Sequence, residues 1–553
     1  MSYRHNPSMP LPGALLLALP FLFPFVAGPS ANTLQLLFSW ACAAVFLLLS
    51  HRGTARPDWR IVLWLALVAG CVVVFRGPVF VFWAAALGAI AVVASASLAG
   101  ARMVGGEQRA ALAWGLLGAG LVSAVLGLLQ YYGLAEALVP WTTTPGEGQA
   151  YGNLRQRNQF ATLLSMALVA LLWLYATAPT SRRRRLLLLA SAGLLLVAQA
   201  ASTSRTGLLQ LLLTAGVAAF IARRDRRLPP PLVLLSLIPL YFLAGWVLPQ
   251  LAGGDVEGMV RRLREGAPEG HSRLVLWRNV VALIAQHPWT GWGWGELSFA
   301  HYATLYDGPR FVEILDNAHN LPLHLAVELG VPAAALVCGG FGWLVLASTP
   351  WRERDPWRLM VWSVLAMIVL HSLLEYPLWY GPFQLVFGLC LGMLWSTPPA
   401  GNAKPTARLA RTGHALAAAA LIAIVGYAAW DYTRVSQIYL SRGDRLPGYR
   451  DDTLAKIQPS WLYANEVRFA ALSLTPLTRA NAAEVHALAE RSLHFSPEPS
   501  VVVKLIESAM LLGQQDEAFA HAARFKAAYP ADYARWLSGN ARAGYAVPAG
   551  SAK

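Results

Sequence analysis

Apolar stretches long enough to cross the hydrocarbon core of a bilayer recur along this chain from residue 11 to residue 431. The spans read as 11–27, 31–50, 59–75, 78–100, 108–133, 158–178, 186–203, 206–222, 231–251, 319–348, 357–376, 377–396 and 413–431. They amount to about thirteen transmembrane helices, with almost no loop at residues 204 and 377. Charged residues make up only 13% of the 553, too few to cover a soluble protein of that length. The expected class is therefore an all-α, polytopic integral membrane protein. Arg4 ahead of the first stretch resembles a signal peptide, but the length of that stretch and the second span close behind it favour an uncleaved helix. Cys42, Cys71, Cys338 and Cys390 all lie inside apolar spans, show no zinc spacing and read as small packing residues.

A net charge of +15 would suit nucleic acid, but its distribution argues against that partner. The basic clusters are Arg52/Arg56/Arg60, Arg102/Arg109, Arg182 to Arg185, Arg223/Arg224/Arg226/Arg227, Arg352/Arg354/Arg358 and Lys404/Arg408/Arg411. They fall at alternate span ends, which the positive-inside rule assigns to the cytoplasm. The same threading leaves three segments on the outer face: 134–157, 252–318 and the tail from about 432. That divides the chain into a membrane domain, 1–431, with an outer loop at about 252–318, and a C-terminal domain, 432–553. In the tail, Pro497 and Pro530 frame "LIESAMLLGQQDEAFAHAARFKAAYP", which has the small-residue and proline spacing of a helix–turn–helix repeat of about 34 residues. At most two such units fit, so the tail reads as a small helical domain that either holds a protein partner or packs on the membrane domain.

Polar residues then gather on the outer rim. Arg205, in "ASTSRTG", must sit close to the hydrocarbon boundary, where it contacts either a lipid headgroup or a bound anion. Arg273 and Arg278 lie in "HSRLVLWRNVVALIAQHP", which reads as a helix along the membrane surface with Arg273 able to point inward. Arg261, Arg262, Arg264 and Arg310 share that outer loop, and "GWGWGE" at 291–296 reads as a flexible aromatic turn lining a groove. Gln156, Arg157 and Asn158, with Asn153, crowd the mouth of the span near 158, to bind sugar or phosphate or, at Asn158, to cap the helix. His371, Glu375 and Tyr376 share a helical face in "LHSLLEYPLWYG", where Glu375 either orients a base, binds sugar or pairs with an arginine. In "DNAHNLPLHLAVELG", His319 and Asn320 open the span 319–348, with His319 in its first turn and the adjacent amide placed to orient it or hold substrate. His324 and Glu328 read as an internal pair. No HExxH or Gly-rich phosphate loop is present, so neither a metal nor another cofactor is expected. Such a rim suits the clamping of a lipid diphosphate by arginine forks, while a histidine deprotonates an acceptor hydroxyl.

"DNAHNLPLHLAVELGVP", "STSRTG", "SRLVLWRNVVALIAQHPWTGWGWGE" and "HSLLEYPLWYGPF" resemble the bacterial O-antigen ligase superfamily, and within it the protein O-oligosaccharyltransferase branch that glycosylates pilins and other proteins. The resemblance runs from about 150 to 440, including "DYTRVSQIYL" ahead of the tail. It implies a GT-C-like glycosyltransferase of the bacterial inner membrane, with its site and its C-terminal domain facing the periplasm. Such an enzyme moves a preassembled glycan en bloc from undecaprenyl diphosphate to a Ser or Thr hydroxyl of a periplasmic, pilin-like protein, with inversion and without a metal ion. The resemblance further implies His319 as the catalytic histidine and Arg205 and Arg273 as diphosphate ligands. Glu375, Tyr376, Gln156 and Asn158 fall in motifs of less specific role. "NLRQRNQ" is more basic than the family pattern.

Two other readings stand beside this one. The same fold can act as an O-antigen ligase on lipid A–core or as an O-antigen polymerase; the soluble tail and "HSLLEYPLWY" favour a protein acceptor. A transporter would carry charges and broken helices near the midplane in paired halves, whereas here the polar residues collect on one face.

Overall fold

A computed structural model describes residues 11–50, 55–103, 106–177, 181–252, 272–397 and 407–542, with Met259, Arg262, Arg264 and Gly270. Arg4, Arg52, Arg261 and Lys404 lie outside the described residues. The fold is helical, and its one sheet among the described residues is a two-residue pairing of β1 (Arg56–Pro57) with β2 (Ser396–Thr397). Among the described residues, eight helices are long and apolar enough to cross a membrane: α4 (Phe80–Arg102), α5 (Gly106–Tyr131), α6 (Arg157–Thr177), α7 (Arg182–Ala201), α8 (Arg205–Ala222), α9 (Pro231–Leu251), α13 (Val331–Ala347) and α16 (Ala407–Ser436). Five shorter apolar helices lie within the other stretches read as spans: α1 (Leu11–Leu22), α2 (Thr33–Leu49), α3 (Trp59–Val74), α14 (Pro356–Ser372) and α15 (Gly381–Leu394).

The helices are apolar nearly all round, so their contacts are set by shape rather than by amphipathic pattern. Gly388 and Gly392 on α15 form a small-xxx-small face against α4. A Cβ at Gly392 would fall 1.8 Å from the Ser97 carbonyl oxygen, and one at Gly388 would fall 2.6 Å from that of Val93. Only glycine permits so close a crossing.

The span expected over 319–348 is a correction. It is two helices, α12 (Leu321–Leu329) and α13, with Gly330 between them at φ 85° and ψ 157°. That conformation is closed to residues with a Cβ, and the Gly330-Val331-Pro332 sequence stops one helix and starts the next. "GWGWGE" corrects in the same way. Gly291, Gly293 and Gly295 all have positive φ, and Trp292 N and Gly293 N donate to the carbonyls of Val327 and Glu328 at 2.9 Å each. Trp294 N donates to Phe75 O at 2.7 Å, so the turn straps the end of α12 to the α3–α4 connection.

The expected surface helix is α10 (Arg273–Gln286), with Leu276, Val280 and Leu283 buried and Leu274 and Val281 exposed. A short helix, α11 (Leu297–Ala303), follows. The tail adds α17 (Thr453–Ile457), α18 (Ala464–Leu474), α19 (Ala482–Phe495), α20 (Pro499–Leu511), α21 (Gln515–Ala528) and α22 (Pro530–Arg542). Its apolar core takes in Tyr302 from α11. The loop ahead of α12 and the tail are further joined by His494 Nδ1 to Glu296 Oε2 at 2.5 Å, Tyr302 OH to His521 Nδ1 at 2.9 Å and Arg524 Nε to Ala303 O at 3.2 Å.

Candidate active site

The N-termini of α6 and α8, the C-terminal end of α14, the start of α10 and the segment before α12 meet at one end of the bundle. The basic clusters of residues 182–185, 223–227 and 352–358 lie at the other ends of these same helices and their neighbours. Glu375 is the centre of the meeting point. It is 5% exposed and follows the last turn of α14, its N–H bonded to His371 O at 2.8 Å.

Three donors from three elements converge on its carboxylate. His319 Nδ1 lies 2.7 Å from Oε2. Arg273, the first residue of α10, donates to Oε1 in a short ion pair. Asn158 Nδ2 donates to the same Oε1 at 3.0 Å. Burial alone would raise the Glu375 pKa, but the His319 hydrogen bond, the His319 charge and the Arg273 guanidinium outweigh it and hold the carboxyl below its usual range. An ionised carboxylate only accepts, so the proton between it and the imidazole sits on Nδ1, and it is Nε2 that offers a lone pair when the ring carries one proton. The His319 side chain is 26% exposed, so that lone pair has access to a ligand.

Each partner is itself held. Asn158 Oδ1 accepts from Ser204 Oγ at 2.6 Å, which fixes the amide so that Nδ2 faces Glu375. Ser204 also caps α8 by accepting from Gly207 N at 3.0 Å. His319 is not in the first turn of a helix, as expected from sequence. It precedes the N-cap, at φ 51°, with its N–H donated to Asn317 Oδ1 at 2.9 Å. Asn320 is the N-cap, accepting from Leu323 N at 3.0 Å and donating to Leu373 O at 2.9 Å. The Tyr376 ring packs edge-on to the His319 imidazole, centroids 4.9 Å apart. Below them, His371 is fully buried and bonds Thr162 Oγ1 at 2.8 Å.

Positive φ at a non-glycine residue costs on the order of 1–3 kcal/mol and persists where surroundings enforce it. Of five such residues described, Arg155 (φ 56°), Thr203 (φ 47°) and His319 surround this site. Arg155 donates to Pro24 O at 2.6 Å and Ala31 O at 3.1 Å, and Asn153 Nδ2 to Leu22 O at 2.7 Å. These two therefore brace the α1–α2 connection instead of facing a ligand. Gln156 accepts from Gln159 N at 2.7 Å, so Gln156 does the capping that the sequence reading offered to Asn158.

The arginines form two sets. Arg273 is engaged with Glu375. Arg157 NH1 and Arg262 NH1 both reach Thr203 Oγ1, at 3.5 and 3.3 Å. Arg205 is exposed and donates to Arg262 O at 2.8 Å. Three cations thus stand over the Thr203 turn, next to the residue that orients Asn158. Arg278 is not brought to Glu375: it is exposed on α10, five residues and roughly 140° round from Arg273. Ser204, Thr203 and Asn317 escaped the sequence reading, although "STSRTG" and "DNAHN" contain them. The usable signal is a hydroxyl or amide immediately before a helix start, where it has backbone or neighbouring side chains to hold. His324 and Glu328 do form the internal pair expected, 3.3 Å apart and buried.

Known proteins match this chain in pieces. A family model described as O-antigen ligase matches residues 190–338, one described as protein glycosylation ligase matches 150–175, and one described as virulence factor membrane-bound polymerase, C-terminal, matches 359–543. A general O-oligosaccharyltransferase of Acinetobacter baylyi is 27% identical over 180 residues. That alignment covers 30% of this chain and 30% of the relative, so less than a third of the relative's length is matched.

Proposed function

Because the chain belongs to the O-antigen ligase superfamily, in its protein O-oligosaccharyltransferase branch, we propose that it transfers a preassembled oligosaccharide from a lipid diphosphate to a hydroxyl of a protein. The observation that carries this reading is the His319–Glu375–Arg273 cluster, in which a carboxylate holds one imidazole nitrogen and leaves the other free.

The acceptor Ser or Thr hydroxyl gives its proton to His319 Nε2. Its oxygen attacks the anomeric carbon from the face opposite the phosphate, and the new C–O bond forms as the sugar–phosphate bond breaks. The electron pair leaves on the lipid diphosphate, and the configuration at carbon inverts. Glu375 holds the tautomer and stabilises the imidazolium that develops, as the carboxylate does in a hydrolase triad. Arg205, Arg262 and Arg157 are the cations assigned to the departing diphosphate, with Arg273 shared between it and Glu375. Arginine suits the task because its planar fork donates paired bonds to phosphate, and no metal enters the proposed step. Tyr376 limits where the imidazole can swing.

In this reading undecaprenyl diphosphate carries the glycan, a pilin-like protein accepts it, and the site faces the periplasm from the bacterial inner membrane. Residues 1–431 hold the chemistry, and 432–553 form a periplasmic helical domain beside the acceptor's path. The match to a polymerase C-terminal model and to the ligase model supports a second reading, ligation to lipid A–core or glycan polymerisation by the same chemistry.

The test uses a bacterial host supplying a lipid-linked glycan and a candidate pilin, with wild type compared with His319→Ala at equal membrane levels. Glycan on the pilin that vanishes in the variant supports the reading. Glycan only on lipopolysaccharide moves the assignment to the ligase. An undiminished signal in the variant removes His319 as the base.

A further inference from the structure

At the end of the bundle away from His319, α3 and α4 part and leave an open groove of about 300 Å³. Leu65 and Ala69 of α3 and Ile90 and Ala94 of α4 line its length, and Pro57 and Ser97 stand at its basic end. The alanines keep it open, since larger side chains there would fill it. Ser97 is the unusual wall. It is 1% exposed, and its Oγ has no hydrogen-bond partner among the described residues. Ser95 and Ser165 donate back one turn, to Ala91 O and Ala161 O, both within 2.9 Å, whereas Ser97, like Ser123 of α5, does not. A buried hydroxyl that declines this bond is an unsatisfied donor in the groove wall.

The mouth of the groove is cationic. Arg56, next to Pro57, is exposed, and its guanidinium makes no hydrogen bond or ion pair with a described residue. Arg102, five residues beyond Ser97, donates from Nε to Ala55 O at 3.3 Å and lies 2.7 Å from His414 Nε2, while its NH1 is buried without a partner. Arg60 has only a 3.9 Å contact with Asp58, and its guanidinium lies over the rings of Trp59 and Trp343 at 5.9 and 5.8 Å. Exposed tryptophans beside arginines mark the headgroup level of a bilayer. From the mouth inward the order is therefore cation, hydroxyl, apolar channel. That is the order of phosphate, ester carbonyl and acyl chain in a glycerophospholipid.

We propose that this groove binds one anionic glycerophospholipid, its phosphate beside Arg56 in the field of Arg102, a glycerol-ester carbonyl accepting from Ser97 Oγ, and one acyl chain between α3 and α4. Basic pockets between transmembrane helices select anionic headgroups in this way. The site does not depend on the transfer reaction proposed above and lies at the opposite end of the bundle.

The experiment is native mass spectrometry of the full chain, purified in detergent and stripped of lipid, titrated with phosphatidylglycerol or with phosphatidylcholine of the same chains. One lipid is expected to bind saturably, with phosphatidylglycerol about tenfold tighter. Arg56→Gln, at an exposed position, is expected to bring phosphatidylglycerol to the phosphatidylcholine level. Ser97→Ala is expected to weaken both lipids, and Ala94→Phe, which fills the channel, to remove both. Equal affinity for the two lipids in the wild type overturns the proposal. So does unchanged phosphatidylglycerol binding in Arg56→Gln, or competition by a polyprenyl phosphate, which would assign the groove to an isoprenoid. The Arg56→Gln arm decides the matter even if Ala94→Phe fails to fold.

Discussion

Replacing Glu375 by glutamine preserves the shape of the side chain and removes its charge. The carboxylate has Arg273 and Asn158 on Oε1 and His319 on Oε2, all of them donors. A glutamine offers one oxygen and one NH2. With the oxygen toward the guanidinium, as the cation demands, the NH2 faces His319 Nδ1. The imidazole must then take the other tautomer, with its proton on Nε2, where the base is needed. A hydrogen bond to a charged group is worth about 1.5–3 kcal/mol. Losing the charged contacts to both His319 and Arg273 therefore puts the penalty at about 3–6 kcal/mol, or roughly 10²–10⁴ in kcat. The assay is single-turnover transfer from a lipid-diphosphate glycan to an acceptor peptide, read as the mass of the glycopeptide. A Glu375→Gln enzyme that keeps more than a tenth of the wild-type rate would refute the argument that this carboxylate sets the tautomer. The same group gives a second observable. Its pKa lies below the ordinary value of 4.5 in the folded chain, so its stabilising contribution is present above about that pH and is lost as pH falls through the lower folded value. The difference in thermal stability between wild type and Glu375→Gln should shrink as the pH is taken below 4.5.

Ser204→Ala should free the Asn158 amide to turn and lower kcat about tenfold, some 1.4 kcal/mol. Ser204→Thr should restore the rate, whereas Ser204→Gly, which retains helix capping to within a few tenths of a kcal/mol, should not. Glu466, in the tail, is pushed up to about 7, first by burial and then by the charge of Asp431. A carboxyl raised in this way loses its stabilising contribution as pH rises from 4.5 through about 7. Glu466→Gln should therefore raise the melting temperature at pH 8, by an effect on the order of 3 kcal/mol, and leave it unchanged at pH 4. Gly330→Ala brings a Cβ within 2.3 Å of Trp289 O at a φ of 85°; it should cost at least about 3 kcal/mol and show as reduced membrane yield and melting temperature.

The helices were legible because apolar length is a strong signal, and apolar helices lie in each stretch read as a span. Only eight among the described residues are long enough to cross a membrane, and 319–348 holds two helices. The break at Gly330 was not, since hydrophobicity runs through it unchanged; the marker was the Gly-x-Pro step, a stop followed by a start. Of the site, the residue types and their gathering at one end of the bundle could be read, because ionisable groups in an apolar chain stand out. Their pairing could not. Glu375 reaches across to α6, α10 and the segment before α12, and no periodicity within one helix encodes contacts 56 to 217 residues away. Helix starts were misplaced by one or two residues: Gln156 caps α6 where Asn158 was offered, and His319 precedes the N-cap Asn320 where the first turn was expected, within the usual uncertainty of a helix start. Arg278 was grouped with Arg273 because both are arginines on one short helix, but five residues place them on different faces.

The clasp between the loop ahead of α12 and the tail also governs how parts of this protein can be exchanged. His494 and His521 of the tail grip Glu296 and Tyr302, and Glu296 closes the strap whose backbone holds Val327 and Glu328 at the end of α12. A chimera that imports another tail alone would bring a mismatched partner to that clasp and loosen the helix behind His319. Tail and loop are bonded as one unit, and a graft that exchanges the tail should carry residues 289–303 together with 482–528.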